Sequence, residues 1–203
     1  DPFYARLVQH DLPLVIHCGE EVAAPGARQH AFNNPLRVRR PLAAGVRVIV
    51  AHAASLGQAR DTDALRAGQA DDEAPAVDAF TLFTRLMEEP QWQGRLYADL
   101  SAVFQRNRTL AVQRTLIERR DWHARLLHGS DYPLPGIGLV YRLQPFVDAG
   151  WLDARDADTL NRLRPHNPLL FEFVLKRTLA VNGTRLSPSV FETRRVLERP
   201  ASQ

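Results

Sequence analysis

Four short runs along the chain are apolar and β-branched, and each ends on a polar residue. They are Leu12 to His17 (LPLVIH), Val46 to His52 (VRVIVAH), Leu96 to Ser101 (LYADLS) and Arg125 to Asp131 (RLLHGSD). The first two and the last are near-continuous hydrophobic segments, the pattern of strands buried on both faces, which predicts a parallel sheet covered by helices. Between them the apolar period lengthens to that of helices. A helix is predicted over Phe3 to His10. Asn34 with Pro35 offers a cap and a first helical residue, and Gly45 closes that segment. Val77, Phe80, Phe83, Leu86 and Met87 repeat at helical spacing, Leu110, Leu116 and Ile117 less cleanly. Asn167 with Pro168 opens a helix carrying Leu170, Phe171, Val174 and Leu175. Helix and strand alternate throughout, so the class is α/β, built of successive βα units.

Two segments fall outside this alternation. The polar, acidic stretch from Gly57 to Pro75 is long for a βα connection, and loops of such length are usually functional or mobile. Residues 182–203 read as a C-terminal tail behind a domain over 1–181, with Phe191 and Val196 as anchors.

Composition narrows the class further. The chain has 203 residues, 45% hydrophobic and 24% charged, which excludes a disordered tail, a collagen and a membrane protein. No run reaches the roughly 18 apolar residues of a spanning helix, and the opening residues do not show the basic-then-apolar pattern with a small-residue cleavage site. With a single cysteine, Cys18, a cytoplasmic location is expected. The formal charge of +3 invites a nucleic-acid partner, but 25 of the 26 basic residues are arginines spread along the whole chain. Clustered cations interleaved with aromatics would mark such a binder, so neither nucleic acid nor membrane is an expected partner. Met87 is the one methionine and the chain opens at Asp1, so an upstream portion is expected.

In parallel α/β proteins the reactive groups gather at the carboxyl ends of the strands. Here those ends carry His17, His52, Ser101 and Asp131. Two imidazoles and a carboxylate are ligand types for a divalent metal, and an Asp can also take a proton from a metal-activated water. Alternation along the strands puts His17 on the face of Val15, Asp131 on that of Gly129, and His128 opposite Asp131, towards the helices. Asp99 shares a face with Ser101, and Ser101 at the strand end is the preferred site residue. Glu20, Glu21, Arg28 and His30 follow His17 on its loop, where Glu20 and His30 are candidates for substrate contact. Tyr132 beside Asp131 is another. Cys18 has no adjacent base in the sequence and is set aside as a nucleophile.

His17 in LPLVIHCGEE, His52 in VRVIVAHAAS, the LYADLSA segment and above all HGSDYPLP around Asp131 resemble the amidohydrolase superfamily, in its amidohydrolase-related branch. That resemblance implies a (β/α)8 TIM barrel, of which this chain would be the C-terminal half, with four parallel strands alternating with helices. It implies His17 as the strand-five ligand, His52 as the strand-six histidine, and Asp131 as the strand-eight ligand and proton acceptor. The implied cofactor is a divalent metal, zinc being the expected ion. The family's His-x-His pair is missing among the seven histidines, and nothing corresponds to the first four strands. An N-terminal half or a partner chain is therefore expected to complete the barrel, and a homo-oligomer is one way to do so.

The function this implies is metal-dependent hydrolysis of an ester, lactone or amide-like bond in a small-molecule substrate, with the isolated chain inactive. Three alternatives stand beside it. A non-oxidative decarboxylase of the same family uses much the same ligands. A TatD-type deoxyribonuclease has similar residues on a barrel but resembles Glu-Thr-Asp rather than Gly-Ser-Asp at the last strand. An inactive fragment is favoured by the missing strand-one ligands.

Overall fold

The computed structural model describes residues 1–20 and 30–198. The chain divides into two compact units, Asp1–Asp99 with Arg194–Gln203, and Leu100–Thr193.

The first unit opens with helix α1 (Pro2–Gln9), capped by the Asp1 carboxylate accepting from the Phe3 amide at 3.0 Å. Strand β1 (Leu14–His17) follows. Asn34 then caps a helical turn as its amide oxygen accepts from the Leu36 N–H at 3.0 Å, and Pro35–Val38 leads into α2 (Arg39–Ala43). Gly45 turns the chain at φ +90° into β2 (Val48–Ala51). β1 and β2 pair in parallel with Leu14 opposite Val48 and His17 opposite Ala51.

The long acidic stretch is more ordered than its composition predicts. Strands β3 (Gln58–Arg60) and β4 (Ala76–Asp78) form an antiparallel ribbon, with Arg60 opposite Ala76. Asp78 then caps α3 (Ala79–Glu88), which buries Phe80, Leu82, Phe83, Leu86 and Met87 on one face, the face its periodicity predicts. Charge pairs hold the ribbon's loop. Arg85 grips Asp61 at 2.8 and 2.9 Å, and Arg39 bonds both Asp63 (Nη2 to Oδ2, 2.9 Å) and Glu89. These guanidinium hydrogen bonds hold both Asp61 and Asp63 below the ordinary carboxylate range.

Strand β5 (Leu96–Asp99) pairs with β2 in parallel, Val48 opposite Leu96 and Val50 opposite Ala98. β2 thus has a neighbour on each side, and Val48, Ile49 and Val50 are buried. β1 does not fit the expectation of a strand covered on both faces: Val15 is 61% exposed. Among the described residues of the first unit β1 pairs with β2 alone.

In the second unit Thr109 caps α4 (Leu110–Glu118), and Gln113 ties that helix to the Val103 carbonyl at 2.9 Å. Strand β6 is short, Leu126–Leu127, and the Leu127 carbonyl accepts from the Leu100 amide at 2.8 Å. Helices α5 (Gln144–Asp148), α6 (Ala154–Leu163) and α7 (Pro168–Thr178) follow, the last capped by Asn167 as its sequence predicts. An Asn182-Gly183 turn with φ of +48° and +77° joins Val181 to Thr184, the left-handed pair that tight hairpins favour. His123 is a core histidine. Its Nδ1 accepts from the Ser187 amide at 3.2 Å, which leaves Nε2–H to donate to the Ile117 carbonyl at 3.0 Å. Among the described residues no helix is long and apolar enough to cross a membrane.

The class is α/β, as the alternation predicts. A closed barrel is not seen among the described residues.

Candidate functional site

His17 is the last residue of β1 and His52 follows the last residue of β2. Because those strands are adjacent and parallel, with His17 opposite Ala51, both imidazoles emerge at the same carboxyl end. Their ring centroids are 5.3 Å apart, with planes crossing at 70°. Strand β5 adds a carboxylate at the same end. Asp99 lies one residue beyond the Val50–Ala98 pair, and its Oδ2 accepts from the His52 amide at 3.3 Å and lies 3.7 Å from His52 Nδ1.

The backbone after β2 is unusual. His52, Ala53 and Ala54 have φ of 55°, 52° and 49°, three consecutive left-handed residues without a glycine. Each costs about 1–2 kcal/mol relative to right-handed backbone. Such strain persists only where surrounding structure imposes it, and it clusters at functional positions. The surroundings here are tight: Ala53 and Ala54 are fully buried, and the turn closes with the Ser55 amide on the His52 carbonyl at 3.0 Å. Gly19, just past His17, packs against it so closely that a Cβ would lie 2.3 Å from the Leu56 carbonyl oxygen.

Left-handed non-glycine residues recur after the two later strands. Ala102 has φ +58° and Asp131 +55°. Both belong to the second unit, as do Ser101 and Tyr132. The strand of this segment ends at Leu127, so Asp131 lies four residues past it and strand alternation does not orient its side chain. Asp131 is half-buried, and its carbonyl accepts from the Leu134 amide at 3.0 Å. Its carboxylate is close enough to Tyr141 to help raise that phenol's pKa, behind burial and Glu172. Ser101 is buried in the turn after β5, and Tyr132 is 65% exposed.

No family model, no curated protein and no solved structure matches this chain. The chemistry is therefore read from the residues alone.

Of the remaining loop candidates, Glu20 is exposed at its side chain but fixed at its backbone. Its amide donates to the Leu56 carbonyl at 2.8 Å, and Gly57 faces it at a distance no Cβ could share. His30 begins a helical turn, His30–Asn33, and its side chain lies outside the described residues, as do Glu21 and Arg28. Cys18 is buried and burial pushes its thiol up to about 12, so it holds no thiolate at neutral pH. His128 packs edge-on to Phe173 at 5.5 Å and against Phe191 at 5.4 Å, in line with the helix-facing expectation.

What the cluster at the ends of β1, β2 and β5 can do follows from its donors. Neutral imidazole nitrogens bind borderline divalent ions, and a carboxylate on the far nitrogen fixes tautomer and ring direction. Asp99 lies 3.7 Å from His52 Nδ1, and its hydrogen bond goes to the His52 backbone amide at 3.3 Å. Among the described residues no group of three or more His, Cys, Asp or Glu is gathered to hold a metal ion.

Asp99 and Ser101 share a face in the sequence, but β5 ends at Asp99 and Ser101 lies in the turn beyond. The signal was present in the register: once Val50 faces Ala98, the next residue meets the His52 backbone.

Proposed function

We propose that this chain is the C-terminal half of a TIM-barrel, amidohydrolase-like enzyme that hydrolyses an ester, lactone or amide-like bond in a small molecule with the help of a divalent ion, zinc being the expected one. The observation that supports it is the pairing of the His17 and His52 rings, with centroids 5.3 Å apart and the Asp99 carboxylate 3.7 Å from Nδ1 of His52. His17 and His52 would hold the ion. Such an ion, when bound, acidifies a water and polarises a carbonyl oxygen. Asp99, which accepts from the His52 amide and lies 3.7 Å from its Nδ1, would help fix the backbone that presents the His52 ring. Asp131 is assigned, on the strength of its HGSDYP segment, to accept the proton of the attacking water and return it to the leaving group. Glu20 and Tyr132 are assigned to substrate contact, with His30 and Ser101 as further candidates.

The test is zinc stoichiometry on the purified chain, followed by substrate profiling of the chain completed by its upstream portion or partner. One ion per chain is expected, lost in His17→Ala and His52→Ala. Asp131→Ala should retain the ion and lose turnover by about three orders of magnitude or more. If wild-type protein binds no zinc, or both histidine variants bind it as tightly, the reading fails. Release of carbon dioxide without uptake of water would replace hydrolysis by decarboxylation. A steep fall of DNA affinity with salt would favour the nuclease. Inactivity of the completed protein on every substrate would leave the inactive fragment.

A further inference from the structure

The chain carries one lysine among 26 basic residues. Arginine serves at every exposed cationic position, so the one place that holds an ammonium group instead has been built differently. Lys176 lies on α7 with none of its surface exposed, in a helix whose buried face is otherwise apolar but for Glu172, one turn before it and also fully buried.

A buried charge is tolerated only where its partners replace water. Lys176 has three such partners. Its ammonium contacts Glu172 Oε1 in an i,i+4 ion pair, donates to the Gly129 carbonyl oxygen at 2.7 Å, and stands 5.9 Å from the centre of the Phe104 ring. A carboxylate, a carbonyl and an aromatic face match the three N–H groups of an ammonium. A guanidinium, with five donors in a planar fork, would leave some of them unmet in this pocket. The far oxygen of Glu172 lies 3.6 Å from Nδ1 of His128, whose ring is wedged between Phe173 and Phe191.

Both members of the ion pair therefore grip the same short segment, Glu172 through His128 and Lys176 through Gly129. That segment runs directly into Ser130 and Asp131, where the backbone takes its left-handed turn at φ +55°. We propose that Glu172 and Lys176 are positioning residues that hold the 128–131 segment so that the Asp131 carboxylate is presented in one orientation. The inference rests on the reading of Asp131 as a functional residue. A pair serving the core alone would be replaceable by apolar side chains of similar volume, often at no loss of stability. Replacing a positioning pair in the same way would keep the stability but loosen the 128–131 segment, because the Gly129 carbonyl and the His128 ring would lose what directs them.

The experiment compares wild type, Lys176→Met and the double variant Glu172→Leu/Lys176→Met by urea unfolding, by amide hydrogen exchange of the 128–134 segment, and by zinc competition with a chromophoric chelator. Lys176→Met strands a buried carboxylate and is expected to unfold at much lower urea. The double variant is expected to recover the wild-type midpoint while its 128–134 amides exchange about tenfold faster or more. Its zinc affinity is expected to stay at the wild-type value, because the ion is assigned to His17 and His52 and not to the 128–131 segment. Recovery of both midpoint and protection in the double variant would overturn the proposal. So would a wild-type segment that exchanges as fast as an exposed loop. Absence of zinc binding in wild type overturns the proposed function instead, and the exchange measurement still decides the role of the pair.

Discussion

A methyl group added at Gly19 would sit 2.3 Å from the Leu56 carbonyl oxygen, on a backbone already at φ +85°. Both penalties fall one residue away from Cys18 and two from His17, where the loop after β1 meets the turn after His52. Gly19→Ala is therefore expected to lower stability by about 2–3 kcal/mol. Gly68→Ala, at φ +89° with nothing within 4 Å, should cost only about 1 kcal/mol. Urea unfolding of the two variants side by side checks this, and equal losses would mean the close approach carries no weight. Cys18 should resist thiol reagents until the protein is unfolded, since its thiol is both buried and pushed up to about 12. Rapid modification of the folded chain would contradict that burial. The two imidazoles were legible in the sequence because each ends an apolar run. The left-handed alanines were not, since alanine carries no signal for that backbone and only the packing around Ala53 and Ala54 imposes it.

Two helical segments were marked by their caps, because a capping side chain is local chemistry: Asn34 and Asn167 each bond an amide within three residues, and Asp78 and Thr109 prove to do the same for α3 and α4. Strand lengths were less legible. The run through Asp131 reads as a strand of seven residues, but pairing stops at Leu127, because a ladder needs a neighbour and not merely an apolar side chain. The acidic loop was misjudged for a related reason. Its carboxylates look like a solvated run, whereas Asp61 and Asp63 are anchored by Arg85 and Arg39 from α3 and α2. Both carboxylates are held below their unfolded pKa, so their pairing contributes stability above about pH 4 that is lost as pH falls through the lower folded values. Unfolding midpoints should accordingly decline as the pH is lowered from 5 to 2 (values on the order of the carboxylate range). In an Asp61→Asn/Asp63→Asn variant that decline should be shallower. An unchanged slope would show that the two ion pairs do not tie down the ribbon.

A ligand that binds the native chain and not the unfolded one raises its stability by mass action. Zinc at about 100 times its dissociation constant should add about 2.7 kcal/mol. The thermal midpoint should rise accordingly in wild type and stay fixed in a His17→Ala/His52→Ala variant, and an equal rise in both would place the ion elsewhere. The apolar runs, their polar ends and the caps were enough to define an α/β chain with His17 and His52 at adjacent strand ends, because periodicity and capping act over a few residues. Three features came from tertiary structure alone: the Asp99 carboxylate against His52, the exposure of Val15 on an edge strand, and the burial of the one lysine beside Glu172. Each depends on residues brought together from different elements, or on which neighbour a strand or helix face meets. That information is carried by packing and register and not by any local stretch of sequence.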